Sequence, residues 1–327
     1  MPLCNSAFDP SQLMTAETIL SAHDRIRSYI HRTPVLTNRT IDALAGAELH
    51  FKCENFQKIG AFKARGGLNA VLQLAPHELK SGVTTHSSGN HAQAIAYAAR
   101  EVGAKAYIVM PRTAPQVKKD AVRGYGAEVI ECEPTLDARE QGVAEVIART
   151  GATMIHPFDD DRVIAGQATA AKELLEDATG NRPFNWLLAP VGGGGLLSGT
   201  ALSAHYFAPG TRVLAGEPEG AADAILSFQS GRVESAPYIN TIADGLLTTL
   251  SERTLAIIQQ HVTDIKTVSD PEIIAAMRLI WERMKIIIEP SCAVPLAVVL
   301  KHKDLFAGQK VGIILTGGNV DLGKLAF

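Results

Sequence analysis

The sequence predicts an α/β fold of open, mostly parallel sheets covered by helices on both faces. Three observations predict it. Short apolar runs alternate with helix-length amphipathic or alanine-rich stretches along most of the chain. Clusters of glycine, serine and acidic residues fall just past the ends of several of those runs, where ligands bind in open α/β sheets. The chain has 327 residues with 46% hydrophobic and 20% charged content, enough to bury a large core and to divide into two lobes.

Taken in order, residues 1–15 read as a loose arm. Ile19, Ala22, Ile26 and Ile30 recur at helical spacing and predict a helix over Thr15–Arg32, which Thr33-Pro34 ends. Glu48–Cys53 alternates polar and apolar residues and predicts a strand leading into the segment around Lys63. Further strands are predicted at Gly82–His86, Lys105–Met110, Ala127–Cys132, Ala152–His156, Trp186–Val191, Arg212–Glu217 and Lys310–Leu315. Helices are predicted at Ala92–Val102, Ala114–Tyr125, Ala138–Thr150 and Val163–Thr179. Asp264–Asp270, followed by a long helix Pro271–Lys285, is the candidate late boundary. No internal repeat or low-complexity linker interrupts the pattern.

Composition narrows the function classes. A net charge of −3 and 6% aromatic residues argue against nucleic acid as a partner. Cys4, Cys53, Cys132 and Cys292 are scattered without CxxC spacing, so neither a zinc site nor a disulfide framework is indicated. No basic region followed by an apolar run opens the chain, and no apolar run is long enough to span a bilayer. The expectation is a cytoplasmic, reducing location, with no membrane partner.

The chemistry-bearing stretch is Glu54–Gly67. Lys63 follows Gly60, Ala61 and Phe62 and precedes the pair Gly66-Gly67. A lysine among small and aromatic neighbours is partly desolvated, which lowers its pKa and frees the amine as base or nucleophile. The alternative is a surface lysine snorkelling from a helix start.

Gly192-Gly193-Gly194-Gly195 follows a strand, and Leu196-Leu197-Ser198 then starts a helix. Bare backbone N–H groups at a helix N-terminus make a phosphate cradle; a tight turn needing positive φ is the simpler reading. The run does not fit G-x-G-x-x-G, because Leu196 stands at the middle glycine. Gly318–Leu325 matches G-x-x-x-x-G-K but lacks the following Ser or Thr and is rejected as a P-loop. Ser87-Ser88-Gly89-Asn90-His91 offers hydroxyls, an amide and N–H groups at another helix start, suited to a small carboxylate or simply to capping. His156-Pro157-Phe158-Asp159-Asp160-Asp161 looks metal-like but reads better as acidic capping on a solvated face. Glu217 and Asp223 could supply oxygen ligands to a hard cation. A reactive lysine, a phosphate cradle, a carboxylate site and the hydroxyl of Thr316 past the last strand together point to pyridoxal phosphate.

The segments ENFQKIGAFKARGGLNAV, THSSGNHAQA, HPFDDDRVIAGQ, PVGGGGLLSG, GEPEGAAD, TIADG, WERMKIIIEPS and LTGGNVDLG run in order from Glu54 to Gly323. With them the chain resembles the serine/threonine dehydratase and serine racemase family of fold-type II pyridoxal-phosphate enzymes. That resemblance implies a large domain of residues 1–80 and 160–327 and a small mobile domain of residues 81–159. It implies Lys63 as the lysine joined to the cofactor aldehyde and the shuttle for the substrate α-proton, with Phe62 packed on the ring. Asn90 would bond the phenolic oxygen. Gly192, Gly193, Gly194, Gly195 and Leu196 would hold the phosphate, and Thr316 would face the pyridine nitrogen. Ser88 would stand across the ring as a second base. Ser87, Ser88, Asn90 and His91 would receive the substrate carboxylate, with Arg139 on the substrate side. Glu217, the Ala221 carbonyl and Asp223 would hold a divalent cation, Mg²⁺ or Ca²⁺. Ala61, Ala92, Phe158 and Cys292 depart from the family pattern, Phe158 by replacing an asparagine of the racemases.

The expected activity is dehydration of a β-hydroxy-α-amino acid to a 2-oxo acid and ammonia. L-Threonine or L-serine is the first expectation. Arg139 favours 3-hydroxyaspartate, Phe158 favours phenylserine, and Ser88 allows serine racemisation. A homodimer is expected from the family likeness. The reading from another class is a non-catalytic amino-acid sensor on the same fold.

Overall fold

The computed structural model describes residues 14–178, 180 and 182–324. The predicted N-terminal arm lies almost wholly outside them. Among the described residues the strands are β1 (Val35–Leu36), β2 (Glu48–Cys53), β3 (Val83–His86), β4 (Ala106–Pro111), β5 (Glu128–Cys132), β6 (Thr153–Met154), β7 (Trp186–Pro190), β8 (Arg212–Pro218), β9 (Asp264–Val268) and β10 (Lys310–Leu315). They form a six-stranded sheet, β1-β2-β10-β7-β8-β9, and a four-stranded sheet, β5-β4-β3-β6. Every pairing is parallel except β1 with β2. The architecture is two open, mostly parallel sheets flanked by helices, as the sequence predicts.

Central strands of the larger sheet are apolar because both their faces are covered. Trp186–Pro190 and Lys310–Leu315 are buried throughout. The helix Pro290–Lys301 packs on β7, β8, β9 and β10, while Gly195–Phe207 packs on β7 and β8 and Asp161–Ala178 on β2 and β10. The smaller sheet is sandwiched between Asn90–Glu101 and Leu136–Thr150.

The helix Lys63–Val71 joins the two layers, packing on both Asn90–Glu101 and Asp161–Ala178. Glycines permit the second contact: a Cβ at Gly166 would lie 2.6 Å from the Arg65 carbonyl oxygen. A buried ion network fixes the start of this helix. Arg65 donates to Glu54 at 2.7 and 2.8 Å and to Glu173 at 2.9 and 2.8 Å, and Lys52 lies 2.7 Å from Glu173.

Three elements differ from the sequence prediction. The first helix is Ala16–Ile26, opened by a capping box of Thr15 and Thr18; it stops before Ile30 because the chain turns at Arg27. The predicted strand Ala152–His156 pairs only over Thr153–Met154, because the chain leaves the sheet edge to form the turn around His156. Asp264–Asp270 is no boundary: Asp264–Val268 is edge strand β9, and Ser269 with Glu272 caps the helix Asp270–Met284.

Candidate active site

The two ends of the sequence that carry Lys63 and Thr316 meet in one place. The Phe62 N–H donates to the Thr316 carbonyl at 2.9 Å, and Ala61 bridges Gly317 in antiparallel fashion. The loop that makes this possible is strained. Ile59 sits at φ 61°, rare for a β-branched residue, and its carbonyl accepts from Asn319 Nδ2 at 2.8 Å. Gly60 follows at φ 70°, where a Cβ would lie 2.8 Å from Asn319 Oδ1.

Lys63 is half-buried, and desolvation pulls its pKa down to about 8. Its Nζ donates to the Pro157 carbonyl at 2.8 Å and lies 5.3 Å from the centroid of the Phe62 ring. A surface lysine would show neither feature.

The glycine run makes the turn from β7 into the helix Gly195–Phe207. Gly194 holds φ +87°, and no side chain caps the helix. A Cβ at Gly192 would approach the Leu246 Cα at 3.0 Å, and one at Gly193 would approach Phe158 at 2.2 Å. Bare N–H groups at a helix N-terminus, packed this closely, suit a phosphate. Thr316 is buried, with its hydroxyl unpartnered and the Cys292 thiol beside it. A buried hydroxyl with only a weakly hydrogen-bonding thiol beside it fits a ring nitrogen. Amine, cradle and hydroxyl together fit pyridoxal phosphate.

Asn90 opens the helix Asn90–Glu101. Its Nδ2 donates to both carboxylate oxygens of Glu289, at 2.9 and 3.2 Å, and its Oδ1 accepts from Asn319 at 2.9 Å. Glu289 is buried, and desolvation lifts its pKa to about 7, with Asp244 adding to the rise. Ser87 accepts from the Gly89 N–H at 3.3 Å, and Ser88 is exposed. His91 follows Asn90 at the start of the same helix. It is buried, and its Nε2 lies 3.1 Å from the Ile155 carbonyl, so the side chain is turned into the small layer.

Arg139 lies in the first turns of Leu136–Thr150. Its Nε is buried without a partner, and its charge helps burial lower the pKa of His86. His86 and His156 face each other at 6.5 Å, and His156 packs edge-on against Phe158 at 4.7 Å. Of the acids after Phe158, only Asp160 caps, accepting from the Arg162 N–H at 2.9 Å. Asp161 is exposed in the first turn of the helix, as expected of a solvated capping run, and Asp159 and Asp161 also pair with Arg253, at 2.9 and 2.6 Å.

Glu217 accepts from the Ala224 and Ile225 N–H groups at 2.6 and 3.0 Å. Burial lifts its pKa to about 8 and that of Asp223 to about 6, and Asp223 Oδ2 has no partner. Among the described residues no group of three or more histidine, cysteine or acidic side chains surrounds a metal position. No helix among them is long and apolar enough to cross a membrane.

Glu289, Pro157 and the inter-layer ion pair Lys118–Asp244, at 2.6 Å, were not foreseen as site residues. For Glu289 the available signal was its place beside Pro290 and Ser291 within the family-like segment. Pro157 contributes only a backbone carbonyl, which no sequence pattern announces.

Residues 26–317 match the family described as pyridoxal-phosphate dependent enzyme. The chain is 52% identical over 313 residues to a beta-hydroxyaspartate dehydratase of Paracoccus denitrificans, covering 96% of this chain and 98% of that protein. It is 46% identical over 309 residues to an L-threo-3-hydroxyaspartate ammonia-lyase of Saccharomyces cerevisiae, covering 94% of each. The crystal structure of serine racemase from Dictyostelium discoideum superposes with a TM-score of 0.90 at 51% identity, over 94% of this chain and 99% of that one. These relatives are named as enzymes and match along nearly their whole length, which sets the sensor reading aside. The chain belongs to the pyridoxal-phosphate dependent enzymes, in the fold-type II group that holds the serine racemases and 3-hydroxyaspartate ammonia-lyases.

Proposed function

We propose that the protein is a dehydratase of 3-hydroxyaspartate: loss of water leaves an enamine, and hydrolysis of its imine tautomer takes up one water and releases ammonia and a 2-oxo dicarboxylic acid. The observation that carries the substrate assignment is Arg139, whose buried Nε lacks a partner beside His86. A buried guanidinium N–H without an acceptor is costly, and a second carboxylate on the substrate would supply one. The names of two relatives support the same substrate. L-Threonine and L-serine, first on sequence grounds, carry no second carboxylate for Arg139.

When bound, pyridoxal phosphate supplies an aldehyde and an electron-withdrawing ring that acidify the substrate α-carbon. Gly192 to Leu196 would hold its phosphate and Thr316 its ring nitrogen, with Phe62 beside it. The neutral amine of Lys63 takes the α-proton and returns a proton to the departing β-hydroxyl. Thr316, being uncharged, can donate to an unprotonated ring nitrogen, which favours prompt loss of the leaving group. The Ser87–Asn90 loop receives the α-carboxylate at the start of a helix that no side chain caps. Phe158, pressed on the glycine run, keeps water from that side. Ser88, which is exposed, is proposed as the second base and carries the racemase reading.

Glu217, Asp223 and the Ala221 carbonyl are proposed as a site for Mg²⁺ or Ca²⁺. Two neighbouring buried acids with raised pKa values gain most from a divalent charge. If so, chelation lowers Tm and added cation restores it; an unchanged Tm removes the site. Residues 81–159 are proposed to move as a small lobe, and the protein to act as a cytoplasmic homodimer.

The deciding experiment measures 2-oxo acid and ammonia formation from 3-hydroxyaspartate, L-serine, L-threonine and phenylserine. The highest kcat/KM is expected for 3-hydroxyaspartate. A preference for serine, threonine or phenylserine would overturn the assignment.

A further inference from the structure

His156 is held in one tautomer by its own turn. Its Nδ1 accepts from the Asp159 N–H at 2.8 Å and from the Phe158 N–H at 3.4 Å. An imidazole nitrogen that accepts cannot carry the proton, so in the neutral ring the proton is on Nε2. The neutral form dominates because burial lowers the pKa to about 4, although Asp159 and Asp160 oppose that shift; the charge of Lys63 and the His86 ring act in the same direction as burial. The ring is therefore a fixed donor, with Nε2 on the edge turned away from its own loop.

The neighbours of this ring place it inside the site. The next residue, Pro157, accepts from the Lys63 amine at 2.8 Å. Phe158, against which the ring packs, lies on Gly193. His86, 6.5 Å away, leads directly into Ser87 and Ser88 and carries the influence of Arg139. The ring thus lies between the turn whose Pro157 carbonyl meets the Lys63 amine and the His86 ring, which the charge of Arg139 reaches.

We propose that His156, through its fixed Nε2–H, is a specificity-determining residue that donates to the β-carboxylate of the substrate together with Arg139. This rests on the 3-hydroxyaspartate reading and deepens it. An uncharged donor beside a guanidinium gives the second carboxylate two different partners, and it does so without adding a cation next to the Lys63 amine. A substrate with only one carboxylate leaves that donor unused, so the contact discriminates rather than raising affinity generally.

His156→Asn tests it. Asparagine can keep an acceptor where Nδ1 stands, so the turn persists, but it has no donor where Nε2 stands. The kcat/KM ratio of 3-hydroxyaspartate over L-serine is expected to fall roughly tenfold or more. Binding of succinate to the apoprotein, measured by calorimetry, is expected to weaken by a similar factor. In ¹⁵N spectra of the wild-type apoprotein the ring is expected as the neutral Nε2–H tautomer from pH 5.5 to pH 8. An equal loss for both substrates, an unchanged ratio, or a spectrum showing Nδ1–H or imidazolium at pH 7 overturns the proposal. Wild-type protein inactive on 3-hydroxyaspartate overturns the substrate assignment instead, while the tautomer measurement still stands on its own.

Discussion

Gly193 and Phe158 occupy what would otherwise be the same space: a Cβ on the glycine would lie 2.2 Å from the phenyl ring. The ring therefore depends on the glycine, and so does the phosphate cradle it covers. Gly193→Ala should push Phe158 aside and cost about 1–3 kcal/mol, as overpacking usually does. Cofactor affinity, followed by absorbance titration, should drop with it. Adding Phe158→Ala to the same chain should recover part of the affinity. No recovery would mean that the glycine matters for its backbone alone.

Lys63 should control cofactor loading through its protonation. Its pKa is lowered from 10.5 to about 8, so the neutral amine becomes abundant as pH rises through that value. The rate at which apoprotein takes up pyridoxal phosphate should climb between pH 7 and pH 9 and then level. Lys63→Ala should show no covalent loading and no turnover. The linkage sign gives a second test: the unfolded lysine binds more protons than the folded one between pH 8 and 10.5, so apoprotein stability gains from this group across that interval.

Glu173 should be among the most sensitive positions outside the site. Burial alone would raise its pKa, but hydrogen bonds from His23 and Arg65 and the charge of Lys52 outweigh that and hold it well below 4.5. Glu173→Gln leaves Arg65 and Lys52 short of countercharge in the interior, and about 3–5 kcal/mol should be lost in urea denaturation. In the wild type this contribution is present above the unfolded value and fades as pH falls below 4.5. A variant with unchanged midpoint would show that the cluster is electrostatically neutral in effect.

Glu289 should behave in the opposite sense. Its pKa is raised from 4.5 to about 7, so its share of apoprotein stability is present below 4.5 and disappears as pH rises to about 7. Glu289→Gln should flatten that part of the stability profile. It should also weaken cofactor binding, because the carboxylate orients the Asn90 amide through two contacts. An unaltered profile between pH 4.5 and pH 7 would show that the carboxyl titrates normally.

Much of this was legible in the sequence because chemistry clustered at strand ends. Ser87–His91, Gly192–Gly195 and Thr316 follow apolar runs that are strands, and Glu217 lies near the end of another. Strand β9 was not legible: Asp264–Val268 alternates at the edge of the sheet and is flanked by acids, so it resembles a polar connection. The helix Pro290–Lys301 is buried on nearly every side and contains Pro295, so it lacks the amphipathic stripe that marks a helix in sequence. The roles of His156 and Glu289 were invisible for a different reason. One depends on which backbone N–H groups the ring accepts, the other on a glutamate buried where its composition suggests a surface.

Among the described residues strand β10 comes last in sequence, yet it lies in the middle of its sheet, between β2 and β7. Until it has been synthesised, those two strands present open edges to any other chain in the cell. A ribosome-bound intermediate can complete the small sheet early, since its strands all come from residues 83–154. It cannot assemble the vitamin pocket, because Thr316 arrives with the final strand. A chain interrupted anywhere before Lys310 would thus leave the β2 and β7 edges open and lack the Thr316 hydroxyl.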